Sequence, residues 1–248
     1  MHRFYLPPDQ CTSATLILVG REAHHAAHVL RLRQGEPVTV LDGAGNQLLC
    51  TVAEANRKNI LLAVMERKAM PPSSARITLL QALPKGKIMD AIIQKATELG
   101  AARIVPLLTE RVVSQLDDES AAHKVEKWRQ AGIEAVKQCG SPWLPAIESP
   151  LTPVEFIARK EKFDLMLVGA LQNERRHLHE VLREFQVQHG RLPQSVGVWI
   201  GPEGDFTATE LDAILAAGAA PITLGRLVLR VETAAIYCLS VLNHELTR

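Results

Sequence analysis

Hydrophobic and polar positions change rhythm partway along the chain. Up to about residue 70 the apolar residues come in short runs separated by close turns. Thr15-Leu16-Ile17-Leu18-Val19 is one run, ending at Gly20, and Pro37-Val38-Thr39-Val40-Leu41 is another. Asp42-Gly43-Ala44-Gly45 follows directly, and Asp-Gly between apolar runs predicts a hairpin. Residues 47–54 and 60–65 complete a set of four strands. Four short strands with close turns predict a small barrel. One helix is expected among them, over residues 22–32, stopping before Gly35. Met70-Pro71-Pro72-Ser73-Ser74 then breaks the pattern, because two prolines forbid a continuous helix and stiffen the connection. The expected organisation is a β-rich domain over 1–70, a linker over 71–75 and a second domain over 76–248.

Beyond the linker, strand-length apolar runs alternate with helical periodicity. The strands are expected at 76–83, 103–108, 163–168, 196–200 and 221–224. The helices are expected at 88–99, 120–138, 176–186, 207–217 and 232–245. Gly100, Gly140 and Gly218 supply stops, and Thr207 with Glu210 has capping-box spacing. Pro106 suggests a local irregularity in its strand. Such alternation predicts an α/β domain with a mostly parallel sheet. In these sheets ligands sit beyond the carboxyl ends of the strands, so the loops after each strand are the ones to read for chemistry.

Three of those loops stand out. Pro84-Lys85-Gly86-Lys87 puts two lysines at a strand end and before a helix, which suits a phosphate or, equally, a solvated turn. Gly201-Pro202-Glu203-Gly204-Asp205 joins an apolar strand to a capped helix. Its glycines allow close backbone approach, and its proline stiffens it. The stretch from Leu224 to Ala234 mixes Leu227, Val228, Leu229 and Val231 with Arg226, Arg230 and Glu232. An aliphatic loop of this kind lines a pocket or packs under a neighbour; Arg230 and Glu232 could also be a plain ion pair. No G-x-G-x-x-G follows any strand and no Walker A motif is present, which disfavours a dinucleotide oxidoreductase and a P-loop enzyme.

Composition narrows this further. The net charge is +1, so any nucleic-acid surface must be local. Cys11, Cys50, Cys139 and Cys238 are scattered with no CxxC pair, which argues against a disulfide framework or a zinc site. His24 and His28 are an i,i+4 pair, but Glu22 is the only acidic residue close by and no metal is expected. The amino terminus lacks an apolar signal core, and no apolar run reaches the ~18 residues of a membrane span. The expectation is a cytoplasmic protein.

Taken together, these segments resemble the 16S ribosomal RNA uridine-N3 methyltransferases, the RsmE family of the SPOUT (trefoil-knot) superfamily. The resemblance runs from His2-Arg3-Phe4 through His24-His25 and Val29-Leu30-Arg31-Leu32-Arg33-Gln34-Gly35. It continues in Lys85-Gly86-Lys87, Gln94-Lys95-Ala96-Thr97-Glu98-Leu99-Gly100 and Glu110-Arg111. Gly201-Pro202-Glu203-Gly204 and Leu229-Arg230-Val231-Glu232-Thr233-Ala234 are its most specific pieces. It implies an amino-terminal PUA-like β-barrel that helps bind RNA, and a knotted α/β domain that dimerises and binds S-adenosylmethionine. The cofactor would lie against Ile200, Gly201, Pro202, Glu203, Gly204, Leu224, Gly225, Leu229, Thr233 and Ala234. The implied target is N3 of uridine 1498 in the small ribosomal subunit. Deprotonated uracil spreads charge onto its carbonyl oxygens, so a fixed cation is favourable there. Arg230 is the candidate, with Glu232 to orient it; Arg3, Arg31, Arg33, Lys85 and Lys87 are candidates for RNA contacts.

The sequence departs from the family pattern in three places. Asp205 stands where a second glycine is usual, and Leu227 where an arginine is frequent, with Arg226 one position earlier. Residues 138–143 lack arginines often found at the positions of Ser141 and Trp143. These departures keep open a non-catalytic RNA-binding homologue, or an enzyme acting on another RNA.

Overall fold

The computed structural model describes residues 1–56, 58–111, 118–171 and 175–247. They form two compact units, Met1–Pro72 with Ile133–Leu144, and Ser73–Gly132 with Pro145–Arg248.

The first unit contains β1 (His2–Tyr5), β2 (Thr15–Leu18), α1 (Gly20–His24), β3 (Pro37–Leu41), β4 (Asn46–Ala55) and β5 (Ile60–Ala69). The strands form a half-barrel sheet in the order β1-β3-β4-β5-β2. β1 is parallel to β3, and the other pairs are antiparallel. Inward residues of alternating strand positions, among them Leu16, Leu18, Val38, Val40, Leu48, Cys50 and Val52, make its core. Two register shifts between β4 and β5 are bulges, which bend a sheet. The β3–β4 turn is held by Asp42, whose carboxylate accepts from the amides of Ala44 (2.8 Å) and Asn46 (2.9 Å). Two expectations need correction. β1 is a strand that the pattern did not predict. The helix starts at Gly20 and continues as a wide π turn over His25–Val29, where the Leu30 amide reaches the His25 carbonyl at 3.0 Å. It stops before Arg31, whose φ of 54° is left-handed, so Gly35 is not its terminator.

The second unit begins with β6 (Arg76–Ala82), α2 (Ile88–Glu98) and β7 (Arg103–Leu107), then α3 (Asp118–Cys139), β8 (Ala146–Ile147) and α4 (Pro153–Ala158). It continues with β9 (Leu165–Gly169), β10 (Arg176–His177), α5 (Leu178–His189), β11 (Ser195–Ile200), α6 (Ala208–Ala216), β12 (Ala220–Thr223) and α7 (Val231–Leu246). Among the described residues the sheet has seven strands in the order β10-β12-β9-β11-β6-β7-β8, every neighbouring pair parallel. All five expected strands are present. β8, β10 and the short α4 are additions, and the helix expected from 176 begins only at Leu178, because Arg176 and His177 pair with β12. Pro106 stays within β7, in a stretch that β8 no longer pairs.

Adjacent strand residues feed opposite faces, as in Leu79 and Leu80, Val198 and Trp199, or Leu167 and Val168. The first of each pair packs under α2, α5 and α7, and the second under α4 and α6. Both faces of the parallel sheet are therefore covered. Its carboxyl ends stay open for the loops that carry chemistry. Among the described residues no helix is long and apolar enough to cross a membrane.

Candidate active site

Loops after three adjacent strands, β9, β11 and β12, meet at the carboxyl end of the sheet around a cavity of about 430 Å³. The β11 loop is built as a rigid floor. The Asp205 amide donates to the Pro202 carbonyl at 2.9 Å, closing a turn, and Asp205 itself has φ 62°. The next residues cap α6: the Thr207 hydroxyl accepts from the Glu210 amide (3.3 Å), and Glu210 Oε2 accepts from the Thr207 amide (2.9 Å). The β12 loop turns at Gly225, φ 115°, where the Thr223 hydroxyl accepts from the Gly225 amide at 3.3 Å.

Of the residues singled out for the cofactor, Ile200, Gly201, Pro202, Glu203, Leu224, Gly225, Leu229 and Ala234 line this cavity. Arg230 and Glu232 line it too. Gly204 and Thr233 do not. The Gly204 carbonyl instead accepts from the Arg111 guanidinium, and Thr233 is exposed on the first turn of α7. Among the described residues, neither Arg230 nor Glu232 is in an ion pair.

The sequence pattern did not reveal a whole wall of the cavity. Gly169 ends β9, Ala170 and Leu171 follow it, and Arg175 donates to the Ala170 carbonyl at 3.2 Å. The strand itself was legible, and the rule that ligands sit after strand ends would have pointed to Gly169. A Cβ there would lie 3.4 Å from Ile200 Cδ1, so glycine lets the β9 and β11 ends close up.

A second recess, about 390 Å³, lies beside the first around the start of α2. It gathers Lys85 and Lys87 with Arg111, Lys124 and Lys127, and Trp128 is buried at its base. The last three cations were not foreseen, because they come from distant segments. Asp90 neutralises one of them by pairing with Lys127 at 2.5 Å. Glu203 borders both cavities, and its Oε1 accepts from the Lys85 amide at 2.9 Å. The carboxylate ties the loop after β6 to the loop after β11.

The remaining candidates belong to the first unit. Arg3 donates to the carbonyls of Lys137 (3.3 Å) and Gln138 (2.9 Å), closing the carboxyl end of α3. Arg31 and Arg33 are exposed. The rings of His24 and His28 lie 4.7 Å apart, and no metal-binding cluster is present among the described residues.

Comparison with known proteins agrees with this geometry. The RNA methyltransferase domain family matches residues 71–243, and the RNA methyltransferase PUA domain family matches residues 18–65. The chain is 32% identical to ribosomal RNA small subunit methyltransferase E of Synechocystis sp., covering 98% of this chain and 77% of that one. It is 27% identical to the protein of the same name in Bacillus subtilis, over 99% and 97%. Among solved structures, the Neisseria gonorrhoeae ribosomal RNA small subunit methyltransferase E bound to S-adenosyl methionine superposes with a TM-score of 0.85. That pair is 28% identical over 99% of this chain and 98% of that one. A Legionella pneumophila protein solved in complex with the bound cofactor SAM gives a TM-score of 0.87 at 33% identity, over 98% and 97%. With an open-ended parallel sheet, a three-loop cavity at its carboxyl end and full-length relatives of one kind, the chain belongs to the ribosomal RNA small subunit methyltransferase E family and is an RNA methyltransferase.

Proposed function

We propose that this protein transfers the methyl group of S-adenosylmethionine to N3 of uridine 1498 in 16S rRNA, acting as a cytoplasmic homodimer. The observation that carries the reading is the three-loop cavity, whose lining takes in most of each of the two most specific family segments. The residues fit the cofactor. The volume falls within the ~300–1,000 Å³ of small-molecule sites. Ile200, Leu224 and Leu229 offer an aliphatic surface to an adenine ring, while Gly201 and Gly225 leave backbone polar groups accessible to its edge.

When bound, S-adenosylmethionine supplies a methyl group already activated by its sulfonium. The protein's part is to align uracil N3 with that group and to stabilise the anion left when the N3 proton passes to water. Arg230, at the cap position of α7 and on the cavity wall, carries positive charge to the uracil carbonyl oxygens. Glu232 sits in the first turn of the same helix and orients Arg230 once the base is in place. The basic recess beside the cavity receives RNA phosphates through Lys85 and Lys87, joined by Lys124. In the first unit, Arg31 and Arg33 are exposed cations for RNA phosphates, and Arg3, a further cation for RNA, also holds the α3 carbonyls. Residues 1–70 serve RNA binding, and residues 76–248 carry methyl transfer with RNA contacts of their own, on either side of a linker at 71–75.

The test is mass mapping of 16S rRNA from a strain lacking the gene and complemented with wild type or Arg230→Ala. Wild type restores N3-methyluridine at the proposed position. Arg230→Ala in purified form binds S-adenosylmethionine in calorimetry but turns over roughly 100-fold more slowly, the scale of losing one charge-stabilising donor. Unchanged N3-methyluridine in the deletion strain would remove the substrate assignment, and wild-type turnover by Arg230→Ala would remove the role of the arginine.

A further inference from the structure

Asp205 combines two features that are each unfavourable alone. Its backbone is in the left-handed region, φ 62°, which side chains with a Cβ seldom occupy, and its carboxylate-bearing side chain is withdrawn from solvent, at 8% exposure. Both oxygens are engaged by backbone amides. Oδ1 accepts from Phe206 at 2.9 Å, and Oδ2 accepts from Leu171 at 3.3 Å. Phe206 belongs to the loop after β11, and Leu171 to the loop after β9. The two loops follow neighbouring strands, and Leu171 and Asp205 both line the cavity.

The surroundings fit a built connection. A Cβ on Gly201 would lie 3.0 Å from Asp205 Oδ1, so the absence of a side chain there makes room for the carboxylate. Arg111 donates to the carbonyls of Gly204 and Asp205, holding the peptides that aim it. In the β9 loop, Ala170 donates its amide to the Ile222 carbonyl at 3.3 Å and accepts from Arg175 through its own carbonyl. Leu171 is the next residue along, and its amide goes to Asp205.

We propose that the Asp205 carboxylate is a strut that fixes the spacing of the β9 and β11 loops and so sets the affinity of the cavity for S-adenosylmethionine. Asp205 is a positioning residue. It holds Leu171 before ligand arrives, so binding does not have to order that wall. The inference rests on the cofactor reading above.

Two variants separate the strut from the turn. Asp205→Gly keeps the turn, since glycine adopts this φ freely, and deletes only the carboxylate. Asp205→Asn retains one acceptor oxygen, which can serve one amide or the other. Each is measured by circular dichroism, by hydrogen exchange at the Leu171 amide, by calorimetry with S-adenosylmethionine and by kcat at saturating cofactor. Asp205→Gly is expected to keep its secondary structure and a kcat within about twofold, to lose protection at Leu171, and to bind about tenfold more weakly, the scale of one hydrogen bond to a charged group. Asp205→Asn is expected between it and wild type. Equal affinity in all three proteins, or a fall in kcat at unchanged affinity, overturns the proposal. If Asp205→Gly is recovered unfolded, Asp205→Asn decides by the same readouts. Failure of the wild type to bind S-adenosylmethionine would count against the cofactor reading, while unchanged Leu171 exchange in the variants would count against the strut.

Discussion

Asp164 sits at the amino end of the sheet, away from both cavities, and shows how much one carboxylate can tie together. It accepts from the Arg191 guanidinium (2.8 and 2.9 Å) and from the amides of Gln194 (2.7 Å) and Ser195 (3.3 Å). The Arg191 contact first, and the Gln194 amide next, hold its carboxyl well below the usual carboxylate range. A pKa lower in the folded than in the unfolded chain means stability that is full above the unfolded value, ~3.9, and is lost as pH falls below it. Asp164→Asn should therefore melt a few degrees below wild type at pH 7, with the gap closing as pH is lowered through the carboxylate range. Melting curves across pH check this, and a gap independent of pH would show that the charge is not the cause. The cysteines give a second prediction at this scale. Burial pushes the thiols of Cys11 and Cys50 up to about 11 and that of Cys238 to about 12, whereas Cys139 is exposed. A thiol reagent at pH 8 should modify Cys139 alone in the native protein and all four in denaturant. Single residues were legible where their partners are close in sequence. Thr207 with Glu210, three apart, could be read as a cap. Asp205 could be seen only as a departure from pattern, because Leu171 lies 34 positions away.

At the scale of elements, periodicity found the strands and helices that bury a full stripe. It could not find β8 and β10, two residues each, which exist because neighbouring strands offer them unpaired edges. It also misplaced the end of the first helix, since nothing local in Arg31 announces a left-handed turn. The same limit applies to the recess at the start of α2. Lys85 and Lys87 were visible as a loop, but Arg111, Lys124 and Lys127 reach them only through the fold. The recess makes a testable difference between its side chains and its backbone. The Lys85 amide, which holds Glu203, survives substitution of the side chain. Lys85→Ala with Lys87→Ala should leave S-adenosylmethionine affinity within about twofold and weaken RNA binding. The slope of log affinity against log salt should fall by about one for each phosphate no longer neutralised. Filter binding over a salt series reads the slope. An unchanged slope would mean that the two lysines touch no phosphate.

For the whole molecule, charge distribution carries more information than total charge. With 28 basic and 27 acidic residues the net charge is +1, so no long-range field draws RNA to the protein as it would to a polycation. The two compact units also share one long helix: α3 runs with the second unit up to Gly132 and with the first from Ile133. No periodicity in the sequence hinted at that return, because residues 133–144 are far along the chain from the strands they join. An RNA methyltransferase whose cations are matched almost one for one by acids must obtain much of its recognition from shape. Flexible RNA would have to be ordered on binding, and the entropy of that ordering opposes affinity, whereas a preformed RNA surface carries no such cost. Assembled small subunits should therefore be the better substrate. With radiolabelled S-adenosylmethionine, methyl incorporation into subunits from a strain lacking the gene is expected to exceed incorporation into the same naked 16S rRNA by about tenfold or more, equivalent to ~1.4 kcal/mol of ordering avoided. The difference should persist at raised salt, where attraction to bare phosphates is screened. Equal rates on the two substrates would mean that local charge contacts suffice and that shape contributes little.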